Sequence, residues 1–135
     1  MDSLQLEFHH ESGILVGKLS GRLDGNSAPE FGRRVAEELA AGPIPVVLDV
    51  TDLAFISSAG LREFVGLAKR LSPAKLKASL VGVSPTVSEV LDISGLTALF
   101  LRLDSVESAK QQIAGSGTGS GNGLLGRLFS GLSKS

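Results

Sequence analysis

Two adjacent serines, Ser57 and Ser58, carry the clearest chemical potential in this chain. They follow Leu48-Asp49-Val50-Thr51-Asp52-Leu53-Ala54-Phe55-Ile56 and precede Ala59-Gly60-Leu61. The run reads as a buried strand, a short polar break, a second apolar touch, and then a helix starting at Ser57 or Ser58. A hydroxyl at a helix start lies beside backbone N–H groups that have no intrahelical acceptor, at the positive end of the helix dipole. Such a position suits a phosphate. The chemistry expected is a serine that accepts a phosphoryl group, rather than a group that performs catalysis. On spacing alone, an ordinary helix N-cap is the simpler role for Ser58, since serine fills that position well.

Other polar residues have competing readings. Asp24 precedes Gly25 and can bond its own backbone in a turn, as aspartates there do. Asp52 reads as a turn former. Gly60 suggests close approach of helix and strand, because glycine in a helix otherwise costs about 1 kcal/mol relative to alanine. Leu61, Arg62 and Val65 can contribute to a docking surface, with Leu61 and Val65 also expected in the core. His9 and His10 are adjacent on an expected strand and so point to opposite faces; with no other histidine in the chain, a metal site is not expected. No Ser–His or Cys–His pair has a supporting context for nucleophilic catalysis, and Gly13, Gly17 and Gly21 do not form a phosphate-loop signature.

The elements that must position these serines alternate between strand and helix. Leu4, Leu6 and Phe8 alternate with polar residues as in a half-buried strand. Glu11-Ser12-Gly13 is a turn, Ile14 to Leu19 a second strand, and the two form a hairpin. Gly21 to Asn26 reads as a polar loop. Ser27-Ala28-Pro29-Glu30 has the capping-box pattern with proline in the first turn, and Phe31, Val35 and Leu39 line one face of the helix that follows. Gly42-Pro43 ends it. Pro45 to Val50 is nearly continuous apolar, as in a strand buried on both faces. Leu61, Phe64, Val65, Ala68 and Leu71 form the core stripe of the second helix. Then come a strand over 76–83, a helix opened by Ser84-Pro85 and closed by Ser94-Gly95, a strand over 99–103, and a last helix capped by Asp104 and reaching about Ile113. The fold class expected is α/β, with a four- or five-stranded mixed sheet flanked by about four helices.

Composition bounds the function. The 135 residues suit one domain, at 42% apolar and 20% charged. No cysteine is present, which excludes disulfides and thiolate chemistry. Met1 to Leu6 is too short, and Asp2 and Glu7 too acidic, for a signal peptide. No run approaches the roughly 20 apolar residues of a bilayer span. Net charge is −1, and the tail 115–135 carries Arg127 and Lys134 without an acid, leaving the body at −3. With no basic cluster among aromatics, nucleic acid is not an expected partner. Residues 1–114 form the expected domain. Residues 115–123 are a Gly/Ser-rich linker, spanning about 15–18 Å by flexible-chain scaling. Residues 124–135 form a short apolar tail, whose Leu125, Leu128, Phe129 and Leu132 have helical spacing. It reads as a disordered end, or as a weak contact for a membrane or a partner groove.

Three stretches together resemble the STAS domain family, the anti-sigma factor antagonists. They are Asp49-Val50-Thr51 with Phe55 to Leu61, Leu19-Ser20-Gly21-Arg22-Leu23-Asp24, and Val81 to Val87 continued by Leu91 to Leu96. The resemblance covers about residues 4–113. It implies a STAS-like fold and a cytoplasmic phosphorylation-controlled switch without catalytic activity or permanent cofactor. The unphosphorylated form would bind an anti-sigma factor that resembles a serine kinase, phosphorylation of Ser58 would release it, and a separate phosphatase would reverse the step. Asp24, Ser57, Ser58, Ala59, Gly60, Leu61 and Arg62 would form the docking patch. Asp49 corresponds to the family's strand-end aspartate, expected to bond loop N–H groups below the serine. Many members have aspartate where this chain has Ser57, and serine or threonine where it has Ala59. Ser57 is therefore a second candidate acceptor. The same departures, with the apolar tail, allow an alternative: a non-phosphorylated STAS subunit or scaffold of a signalling assembly or a membrane lipid-transport complex.

Overall fold

A computed structural model describes residues 4–116. Five strands and four α-helices alternate after an opening hairpin: β1 (Gln5–Glu11), β2 (Ile14–Leu23), α1 (Ala28–Glu38), β3 (Val46–Ile56), α2 (Ser58–Leu71), β4 (Ala78–Val81), α3 (Pro85–Ile93), β5 (Phe100–Leu103) and α4 (Val106–Ser116). The sheet order is β1-β2-β3-β4-β5. Only β1 and β2 pair antiparallel; the other neighbours are parallel. The expected α/β mixed sheet with an N-terminal hairpin is thus the observed one.

Alternation along the strands assigns the layers. Val46, Leu48 and Val50 of β3 join Phe31 and Val35 of α1, Phe64 and Leu67 of α2, and Val87 and Leu91 of α3 in the main core. Val47, with Ile14, Val16 and Val81, faces the other way and packs with Ala109 of α4. Successive strand residues point to opposite faces, so the apolar run is buried twice, by three helices on one side and by α4 on the other. Phe64 bridges Phe31 and Phe100, with ring centroids 5.6 and 5.8 Å apart.

Several local expectations are corrected. The polar break at Thr51-Asp52 does not interrupt β3, and β2 continues through Gly21 to Leu23. The two strands stay paired by absorbing register shifts between Lys18 and Ser20 and between Gly21 and Arg22. Asp49 lies inside β3, not at its end, and its Oδ1 accepts the Thr51 N–H at 3.0 Å and the Thr51 hydroxyl at 2.6 Å. Asp52 is a strand residue, 3.7 Å from Lys18 Nζ, not a turn former. Ser27 precedes α1 but makes no side-chain cap. Its hydroxyl donates to the Arg22 carbonyl at 2.8 Å and accepts the Asp24 N–H at 2.9 Å, so the local loop takes the oxygen a capping box would have used.

The buried stripe of α2 is Gly60, Phe64, Leu67 and Leu71, with Val65 only half-buried. β4 is shorter than expected, at Ala78–Val81. Ser105, not Asp104, caps α4, accepting the Ser108 N–H at 3.0 Å. α4 runs to Ser116, so Gly115 and Ser116, expected to open the linker, are helical. The rest of the linker and the apolar tail, residues 117–135, lie outside the described residues.

Candidate functional site

The two serines lie where β3 ends and α2 begins, and the fold gives them different jobs. Ser57 is the N-cap, with extended backbone, and its Oγ accepts the Gly60 N–H at 3.3 Å. Its own N–H donates to the Leu23 carbonyl at 2.9 Å, joining the start of α2 to the end of β2. Ser58 is the first helical residue and is exposed. The capping role weighed for Ser58 therefore belongs to Ser57, which leaves the Ser58 hydroxyl facing solvent. The first N–H groups of α2 lack intrahelical acceptors by helix geometry. No acid lies in the first turn, and Lys69 and Arg70 lie in the last, so the charge along α2 complements its dipole at the C-terminal end only.

Gly60 explains how the first turn comes so close to the sheet. A Cβ there would lie 2.8 Å from Leu23 Cγ, 2.8 Å from the Leu23 carbonyl oxygen and 2.9 Å from Ile56 Cγ1. Gly60 is buried by this contact and shapes the patch without offering surface. Ala59 and Leu61 are half-buried against the main core, whereas Arg62 is exposed.

Asp24 follows Leu23 and is half-buried. Its Oδ1 accepts N–H groups of Asn26 at 3.0 Å and Ser27 at 3.2 Å, the turn geometry anticipated before Gly25. Its Oδ2 lies 3.7 Å from Arg22 Nε. Desolvation, the largest single influence on this carboxyl, pushes its pKa up. The Asn26 and Ser27 N–H donors, the Ser27 hydroxyl and Arg22 together outweigh it and hold the pKa below the ordinary aspartate value. Asp24 is thus an ionised anchor for the loop beside α2.

One contact of this neighbourhood is not legible in the sequence. Phe55 pairs with Arg22 across the β2–β3 register, and the Arg22 guanidinium lies over its ring at 4.1 Å. Only the register shifts bring these two together, and nothing in residue spacing marks them.

The histidines are engaged separately, His9 Nε2 with Glu11 at 3.2 Å and His10 Nε2 with Glu38 at 2.7 Å. Among the described residues no group of three or more His, Asp or Glu could hold a metal ion, and no helix is long and apolar enough to cross a membrane. Two described clefts, about 380 and 540 Å³, border α4 and contain none of the serine-patch residues. The patch is an open protein surface with an accessible hydroxyl, which suits docking and modification of the chain by another protein.

Comparison with known proteins bears on the fold and the family. The candidate anti-sigma factor antagonist BtrV of Bordetella bronchiseptica is 33% identical over 106 residues, covering 78% of this chain and 91% of BtrV. The anti-sigma F factor antagonist of Paenibacillus polymyxa is 28% identical over 112 residues, covering 82% of this chain and 96% of the relative. The same fold occurs in the anti-sigma factor antagonist SpoIIAA in its unphosphorylated form, with a TM-score of 0.72 at 23% identity, covering 86% of this chain and 100% of that one. The Bacillus cell fate determinant SpoIIAA in its phosphorylated form gives a TM-score of 0.64 at 22% identity, with coverages of 82% and 99%. Residues 5–109 match the STAS domain family, and the chain belongs to it.

Proposed function

We propose that this chain is an anti-sigma factor antagonist working as a phosphorylation-controlled switch. Unphosphorylated, it binds an anti-sigma factor that is also a serine kinase; phosphorylation of Ser58 releases that partner, and a phosphatase restores binding. The observation that carries the reading is the division of labour at the start of α2. Ser57 takes the cap, and Ser58 is left exposed on the first turn. A phosphate on Ser58 adds a charge of about −1.5 to −2 and three acceptor oxygens at pH 7. A partner seated over the patch of Asp24, Ala59, Leu61 and Arg62 would then face a bulky, strongly hydrated anion. The names of the relatives support the class of function, and in this reading the chain is substrate and binding module, cytoplasmic, with no reaction of its own.

The test is incubation with the cognate kinase and ATP, followed by mapping of the phosphosite. Phosphate is expected on Ser58 and absent from Ser58→Ala, which keeps partner binding, whereas Ser58→Asp weakens it. Modification elsewhere with Ser58 untouched would refute the assignment, and modification of Ser57 would transfer the role to its neighbour. Stable co-purification with a transporter ATPase, unaffected by Ser58→Asp, would instead establish the subunit reading.

A further inference from the structure

The arginines of the described residues divide into two groups. Arg22 sits over Phe55 and beside Asp24, Arg33 joins Glu30 and Glu37, Arg34 lies over the Phe8 ring, and Arg102 pairs with Asp92. Among the described residues, Arg62 and Arg70 make no ion pair or ring contact. Arg70 is in the last turn of α2, where the dipole favours a cation. Arg62 is near the opposite end, where the dipole disfavours a cation, and no acid of the first turn offsets it. Of the neighbouring carboxylates, Asp24 is engaged by Asn26, Ser27 and Arg22, and Glu63 lies against Gly32 of α1 without pairing with Arg62.

Arg62 is four residues after Ser58. In a helix that spacing places the two side chains on one face, with Cβ atoms about 5–6 Å apart. It is also the favourable order for a pair, negative group first and positive group one turn later. We infer that Arg62 is the positioning residue for the phosphate on Ser58, gripping it through two guanidinium N–H donors. This rests on the phosphorylation reading above and adds its local mechanism. An arginine fork suits a phosphate better than a lysine point charge does. The Ser58–Arg62 pair then carries a charge of +1 when unmodified and about −0.5 to −1 once Ser58 is phosphorylated. A sign reversal discriminates between partners more sharply than added charge alone.

The experiment uses the full chain with phosphoserine installed at position 58 by genetic encoding, so no kinase is needed. Phosphorus NMR titration reads the second phosphate ionisation. With Arg62 present it should fall below the ordinary value of about 6. Arg62→Gln should raise it by about 0.3 unit, the shift equivalent to one i,i+4 pair. Arg62→Lys should recover part of that difference. The rise in melting temperature on phosphorylation should also be smaller in Arg62→Gln than in the native sequence. Identical titrations and identical temperature increments in the two proteins would overturn the inference. A kinase that ignores Ser58 would sink the switch reading alone, because the installed phosphate reports on the pairing either way.

Discussion

Replacing Gly60 by alanine tests whether close packing of α2 on β2 sets the position of the serines. The new Cβ meets Leu23 Cγ at 2.8 Å, the Leu23 carbonyl oxygen at 2.8 Å and Ile56 Cγ1 at 2.9 Å. Carbon atoms pack best at about 3.5–4.0 Å, so relief requires a movement of roughly 1 Å. The two side chains can adjust by rotation, but the carbonyl oxygen cannot. It is held by the Ser57 N–H at 2.9 Å, so lifting α2 strains the bond that ties the helix to the sheet. Overpacking of this kind costs about 1–3 kcal/mol, and the better helix propensity of alanine returns up to about 1 kcal/mol. The fixed carbonyl oxygen puts the overpacking cost in the upper part of its range, about 2–3 kcal/mol. After a full return of about 1 kcal/mol, the net expectation is a loss of about 1–2 kcal/mol, or about 4–8 °C in melting temperature for a domain of this size. Thermal and urea unfolding of purified Gly60→Ala against the native chain measures it. A variant as stable as the native protein, or more stable, would mean that propensity outweighs the clash and that the close approach does not hold the first turn in place.

Three further outcomes follow from the same geometry. Ser57→Ala should lose about 1 kcal/mol of stability through the missing cap, while exposed Ser58→Ala stays within about 0.5 kcal/mol; urea denaturation showing the reverse order would exchange their roles. Gly82→Ala should destabilise by more than about 2 kcal/mol, because it combines a left-handed backbone, φ +73°, with a Cβ driven into Thr51; a circular dichroism melt unchanged from native would contradict this. Glu11 pairs with Lys110, and that hydrogen bond, then the one from His9, holds its pKa below the ordinary glutamate value. Its contribution is therefore complete above about pH 4.3, the ordinary value, and lost as pH falls through the lowered one. Native and Glu11→Gln melting temperatures should differ at pH 7 and converge as the solution is acidified, and a gap that widened in acid would refute the pairing.

Much of the fold was legible because its signals are local. The alternation of Leu4, Leu6 and Phe8, the turn at Ser12-Gly13, Ser84-Pro85 as a helix start and Ser94-Gly95 as its stop all act within a few residues. The doubly buried run from Val46 to Val50 already implied cover on both faces. Boundaries failed where a distant partner decided them. β3 passes through Thr51-Asp52 because β2 lies alongside and bulges to match it, with Asp49 bonding Thr51. Ser27 surrendered its cap because the Arg22 carbonyl and Asp24 N–H claimed its hydroxyl.

The serine patch divides the same way. Composition and motif alone located two hydroxyls at a strand-to-helix junction and excluded thiol chemistry, since residue types and helix-start spacing are properties of the chain itself. Which serine caps and which faces solvent was undecided until Ser57 was tied to the Leu23 carbonyl and Gly60 settled against Leu23. Those contacts join residues more than thirty positions apart, and only the packed sheet brings them together. The same holds for Arg22 on Phe55: a parallel register with two shifts sets that contact, and no one-dimensional pattern encodes such a register.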